Sequence, residues 1–104
     1  MTTAAKPTVT LVNVLTVKQD KQRELVESLR QNTETVIMTL KGWIATNLVA
    51  SADGKRVVIY SQWETAADVE AMRSDPRMQA YFPKVSELAS FDSIVGTAVL
   101  THHR

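Results

Sequence analysis

The segment VVIYSQWE, residues 57–64, limits the possible folds most, because as a strand it presents bulky groups on both faces. Side chains alternate with a period of two, so Ile59, Ser61 and Trp63 share one face while Val58, Tyr60 and Gln62 share the other. Both faces need cover. An indole carries one N–H donor on an apolar body, so Trp63 suits either a packed core or the dry wall of a ligand site.

The flanking sequence supplies the partners. Trp43 to Ala50 reads as a second strand, and Ser51-Ala52-Asp53-Gly54-Lys55 as a hairpin loop whose Asp-Gly makes residues 57–64 its antiparallel neighbour. Val9 to Val17 is a further strand, with Leu11, Asn13, Leu15 and Val17 on one face and Thr10, Val12, Val14 and Thr16 on the other. From about Asp20 the period changes: Leu25, Val26, Leu29, Val36, Ile37 and Leu40 recur at helical spacing, and Lys41-Gly42 provides a stop. Thr65, with Asp68 three residues later, predicts a helix start with Val69 and Met72 on its inner side. Asp75-Pro76 predicts a break and a new helical segment through Met78, Tyr81, Phe82, Val85 and Leu88, bent at Pro83. A last strand is expected over about Ser93 to Thr101.

Strand, helix, strand, strand, helix, strand is the ferredoxin-like βαββαβ plan, an α+β fold with two helices on one face of a four-stranded antiparallel sheet. In that plan the first and third strands are central neighbours, which sets Asn13 and Trp63 on the same, helix-covered face. The opposite face carries Val12, Val14, Val58 and Tyr60 with nothing left in the chain to cover it. A face-to-face homodimer is therefore expected.

The 104 residues, 44% hydrophobic, suffice for one core, read as a single domain over 8–104 behind a disordered tail at 1–7. A formal charge of +1 without a basic stripe argues against nucleic acid or an anionic membrane surface as partner. Cysteine is absent, which excludes disulfides, thiolate metal sites and cysteine nucleophiles. With no signal-peptide core and no apolar run of spanning length, a soluble, cytoplasmic protein is expected. No phosphate-binding glycine loop, zinc spacing or Ser-His-Asp pattern occurs, so no metal site is expected.

Asn13, in the middle of an apolar strand, must find hydrogen-bond partners; it either bonds a neighbouring group or orients a ligand. Trp63 alone suits a core more than a site, but the pair on one face favours an apolar cleft with a few polar groups. Met72, Arg73, Tyr81 and Phe82 lie on the segments that would roof it. Arg73 and Arg77, on either side of Asp75, each read as solvated surface or ligand contact, and His102-His103 as a polar chain end.

Three stretches, LVNVLTV (11–17), KGWIATNLVASADGKRVVIYSQWE (41–64) and MRSDPRMQAYFPKVSELASFD (72–92), resemble the antibiotic biosynthesis monooxygenase family of dimeric ferredoxin-like α/β barrels. The polyketide-tailoring members are closest in pattern. The resemblance implies a cofactor-independent monooxygenase that converts a small phenolic, anthrone-type or quinol-like aromatic to a quinone with O2. It assigns catalytic roles to Asn13, as amide donor to a substrate oxygen, and to Trp63, as indole donor to the oxyanion or peroxide. Where the family places a pocket asparagine four residues before the tryptophan, this chain has Ile59, and Val69 stands near the position of a substrate-contacting tyrosine. Ile59 keeps a second expectation open, a non-catalytic small-molecule binding or sensing dimer. A haem-degrading relative would need a helix histidine, and residues 65–90 contain none.

Overall fold

The computed structural model describes residues 8–104, so the expected tail at 1–7 lies outside the described residues. The elements are β1 (Val9–Val17), α1 (Gln22–Thr35), β2 (Trp43–Ala50), β3 (Arg56–Trp63), α2 (Ala66–Ser74), α3 (Pro76–Leu88) and β4 (Ala89–Gly96). All strand pairs are antiparallel, in the order β2-β3-β1-β4, so β1 and β3 are the central neighbours of a ferredoxin-like sheet. Leu11, Leu15, Val57 and Trp63 face the helices, where they bury Leu25 and Leu29 of α1, Val69 and Met72 of α2, and Met78 and Val85 of α3. Tyr81 packs against both halves of this core. Among the described residues no helix is long and apolar enough to cross a membrane.

Local chemistry sets most of the boundaries. Thr65 caps α2 by accepting the Asp68 backbone N–H at 3.0 Å, and Asp75 caps α3 by accepting that of Arg77 at 2.8 Å. Pro76 occupies the first turn of α3, and the helix continues through Pro83 to Leu88.

Two boundaries differ from expectation. The first helix stops at Thr35 rather than at Lys41-Gly42, because Val36 leaves helical geometry (φ −121, ψ −62) and a short 3₁₀ turn, Ile37–Thr39, follows. Ile37 still reaches the core from that turn, which is why the apolar spacing ran on unbroken. The last strand is Ala89–Gly96 rather than Ser93–Thr101. Its register is fixed by Val17↔Ala89 at one end and Thr10↔Gly96 at the other, so β1 holds it through Gly96, and residues beyond carry no strand.

Gly42 joins the 3₁₀ turn to β2 with φ +84, and a Cβ there would lie 2.1 Å from Asp68 Oδ2. Asp68 has little room to retreat: it is buried, and its carboxylate accepts the Thr65 hydroxyl at 2.9 Å. Gly42→Ala is expected to cost about 2 kcal/mol or more from the left-handed backbone and this clash together. On that basis the thermal midpoint should fall by roughly 8 °C or more; a midpoint unchanged in a calorimetric melt would contradict the account.

Candidate functional site

The sheet and the helices leave a cleft between them of about 110 Å³. One water needs only about 10–15 Å³ on the same measure, so the space suits a small organic molecule rather than a lone solvent. Its floor comes from alternate residues of the strands, Leu11, Asn13 and Leu15 of β1 and Ile59, Ser61 and Trp63 of β3, and α1, α2 and α3 form the roof. Strand parity therefore brings Asn13 and Trp63 to one wall.

Asn13 sits in a row across the sheet, with Ile59 opposite it on β3 and Ser93 opposite it on β4. The Ser93 hydroxyl donates to Asn13 Oδ1. That contact orients the amide and leaves its Nδ2 hydrogens without a protein acceptor among the described residues. Ile59 adds an apolar side chain on the other flank.

Trp63 is 1% exposed, and its Nε1–H donates to Ser61 Oγ at 3.1 Å. The Ser61 hydroxyl donates in turn to the Leu11 carbonyl at 3.4 Å, so the indole donor is engaged within the sheet and the ring is what Trp63 offers the cleft.

Of the expected roof residues, Met72, Arg73, Tyr81 and Phe82 all line the cleft. Arg73 also pairs with Glu70 along α2 at 2.9 Å. The Tyr81 hydroxyl shares a 2.8 Å hydrogen bond with Ser28 Oγ; burial pushes the phenol's pKa up, with the Ser28 contact working against it, and the group stays neutral near pH 7. Val69 is fully buried among core residues and does not form part of the wall. Arg77 pairs with Asp75 away from the cleft, and its guanidinium holds that carboxyl below the usual carboxylate range. His102 and His103 are exposed at the chain end.

Sequence reasoning did not single out Ser93, Asn32 or Ser61, all of which line the cleft. Asn32 had a legible signal: it falls seven residues after Leu25 and three after Leu29, on the inward stripe of α1. Ser61 also had one, sharing strand parity with Trp63. Ser93 had none, since its side depends on a register that only the pairing of β1 with β4 defines.

Tetracenomycin-F1 monooxygenase from Streptomyces glaucescens is 47% identical over 73 residues, covering 70% of this chain and 65% of that relative. The chain thus spans slightly less than two thirds of that relative's length. Two solved structures share the fold. SnoaB, a cofactor-independent oxygenase from Streptomyces nogalater, superposes with a TM-score of 0.82 at 19% identity, over 91% of this chain and 96% of its own. The ActVA-Orf6 monooxygenase of Streptomyces coelicolor, solved in complex with nanaomycin D, gives 0.84 at 23% identity, over 95% and 94%. The family's sequence profile matches residues 8–84, a span that runs from β1 into α3 and includes both Asn13 and Trp63: the chain belongs to the antibiotic biosynthesis monooxygenase family.

Proposed function

We propose that this protein is a cofactor-independent monooxygenase that uses O2 to oxidise a small phenolic, anthrone-type or quinol-like aromatic to a quinone. The observation that carries the reading is the Asn13 amide, oriented by Ser93 with its N–H donors uncommitted on the floor of an otherwise mostly apolar cleft. The identity to tetracenomycin-F1 monooxygenase supports the same class of substrate.

The substrate itself supplies the electrons. An activated ring methylene, present in an anthrone and in the keto tautomer of a phenol or quinol, loses a proton to solvent, and the resulting enolate passes one electron to O2. The radical pair then joins through a carbon–oxygen bond to give a peroxide. Loss of water from the hydroperoxide leaves a carbonyl, so the methylene and O2 are converted to C=O and H2O. The protein's part is to orient the ring, exclude water and stabilise the developing oxyanion with donors that are already in place. Asn13 Nδ2 fills the donor role, Trp63 and Phe82 flank the ring, and the neutral Tyr81 phenol, held by Ser28, adds a polar edge without a charge.

Oxygen-electrode assays with anthrone and a hydroquinone panel should give O2 uptake above the uncatalysed rate, matched by quinone absorbance. Saturable binding of those compounds without O2 uptake would instead select a non-catalytic binding or sensing protein. Ile59 beside Asn13 is the observation that favours that second reading, because it supplies no donor to the oxyanion.

The same strands carry an apolar outer face. Val12, Val14, Val58 and Tyr60 lie there with Val49 and Ile94, and we include in the proposal that a second copy of the chain covers it.

A further inference from the structure

We propose that Asn32 is a second ligand-binding amide of the cleft, receiving an oxygen of a planar aromatic whose other oxygen lies on Asn13. The inference rests on the reading of the cleft as an aromatic site and narrows the ligand to rings with acceptor oxygens at two ends. The roof holds few polar groups, and most have good partners. The Thr33 hydroxyl donates to the Leu29 carbonyl at 2.8 Å, Tyr81 is bonded to Ser28, and Arg73 is paired with Glu70. Asn32 is different. Its Nδ2 meets only the thioether of Met78, at 3.4 Å.

A thioether is a weak acceptor, so a half-buried amide facing it keeps most of its hydrogen-bonding capacity unspent. An apolar residue would complete the stripe of Leu25 and Leu29 at that position without this cost. Exchanging the sulfur for a ligand carbonyl or phenolate oxygen gives the amide a full acceptor inside an apolar enclosure, where such a bond is strongest. Asn13 is on the sheet and Asn32 on α1, so the two donors approach the cleft from different layers. A ligand with a single oxygen can satisfy one of them, and a ligand with oxygens at two ends of the ring can satisfy both.

The test is calorimetric binding of two probes to wild type and Asn32→Ala: para-naphthoquinone, with carbonyls at opposite ends of one ring, and α-tetralone, with one carbonyl. The expected result is a loss of about tenfold in naphthoquinone affinity in the variant. Tetralone affinity should change less than about twofold, since Asn13 still serves it; its retention also reports that the variant is folded. Equal weakening of both probes, unchanged affinity for both, or no naphthoquinone binding by the wild type overturns the assignment. Oxygen uptake by the wild-type protein is scored separately. Normal turnover with unaltered probe binding in Asn32→Ala removes the Asn32 role alone, whereas selective quinone binding by a protein that consumes no O2 keeps it and removes the oxygenase reading.

Discussion

Asn13→Ala is expected to lower the rate of oxygen uptake by about 10²–10³-fold while leaving the fold in place. The size follows from losing one pre-positioned donor to a charge that develops only as the reaction proceeds, on the floor of a mostly apolar cleft. The fold should survive because Asn13 is half-buried and the Ser93 hydroxyl, deprived of its acceptor, sits on an exposed strand where water replaces it. Asn13→Asp sharpens the test. It preserves shape and still accepts from Ser93, but it sets a carboxylate where the oxyanion would form. It should be at least as slow as the alanine variant, with a thermal midpoint close to wild type. Wild-type rates in either variant would remove Asn13 from the chemistry.

Features governed by short-range chemistry were legible in the sequence. The hairpin between β2 and β3 follows from Asp53 and Gly54: Gly54 has φ +77, and Asp53 Oδ1 accepts both the Ser51 hydroxyl and the Lys55 backbone N–H. Thr65 and Asp75 cap their helices as residues of that type should. The end of α1 was hidden because Ile37 is buried from a 3₁₀ turn as well as it would be from a helix, so apolar spacing alone does not separate the two. β4 is an edge strand exposed from Ser90 to Gly96, so it lacks the alternation that marks a half-covered strand. The apolar residues Ile94, Val95, Val99 and Leu100 pulled the expected segment toward the chain end.

For the site, strand parity together with the ferredoxin-like strand order placed Asn13 and Trp63 on one face. Which of their donors is free depends on neighbours that parity does not rank. Ser61, two residues before Trp63 on the same face, takes the indole N–H, and Ser93, 80 residues from Asn13, takes its carbonyl oxygen. The first contact is local and could have been anticipated. The second required the tertiary pairing of β1 with β4.

Val12→Glu is expected to convert a two-chain assembly at micromolar concentration into single chains. Val12 follows Leu11 and precedes Asn13, but points to the other face, between Tyr60 on β3 and Ile94 on β4. Ile94 is 62% exposed, Val49 56% and Tyr60 36%, and the helices all pack on the opposite side. An apolar patch of this kind, centred on the sheet, fits a self-complementary interface, in which every substitution counts twice. Glutamate at its centre would bring two unpaired carboxylates out of water, and even a few kcal/mol in total shifts dissociation by about 10²–10³-fold. In the separated chain the same glutamate faces solvent, so far-UV circular dichroism should be retained. Sedimentation equilibrium measures the result directly: a wild-type mass of one chain, or a variant that associates as the wild type does, would end the proposal. The consequence for activity is indirect. β4 is held by β1 alone among the described strands, and it carries Ser93 on one face and Ile94 on the other. Uncovering Ile94 should loosen this edge and with it the orientation of Asn13, so turnover in Val12→Glu should fall, but by less than in Asn13→Ala, where the donor itself is gone.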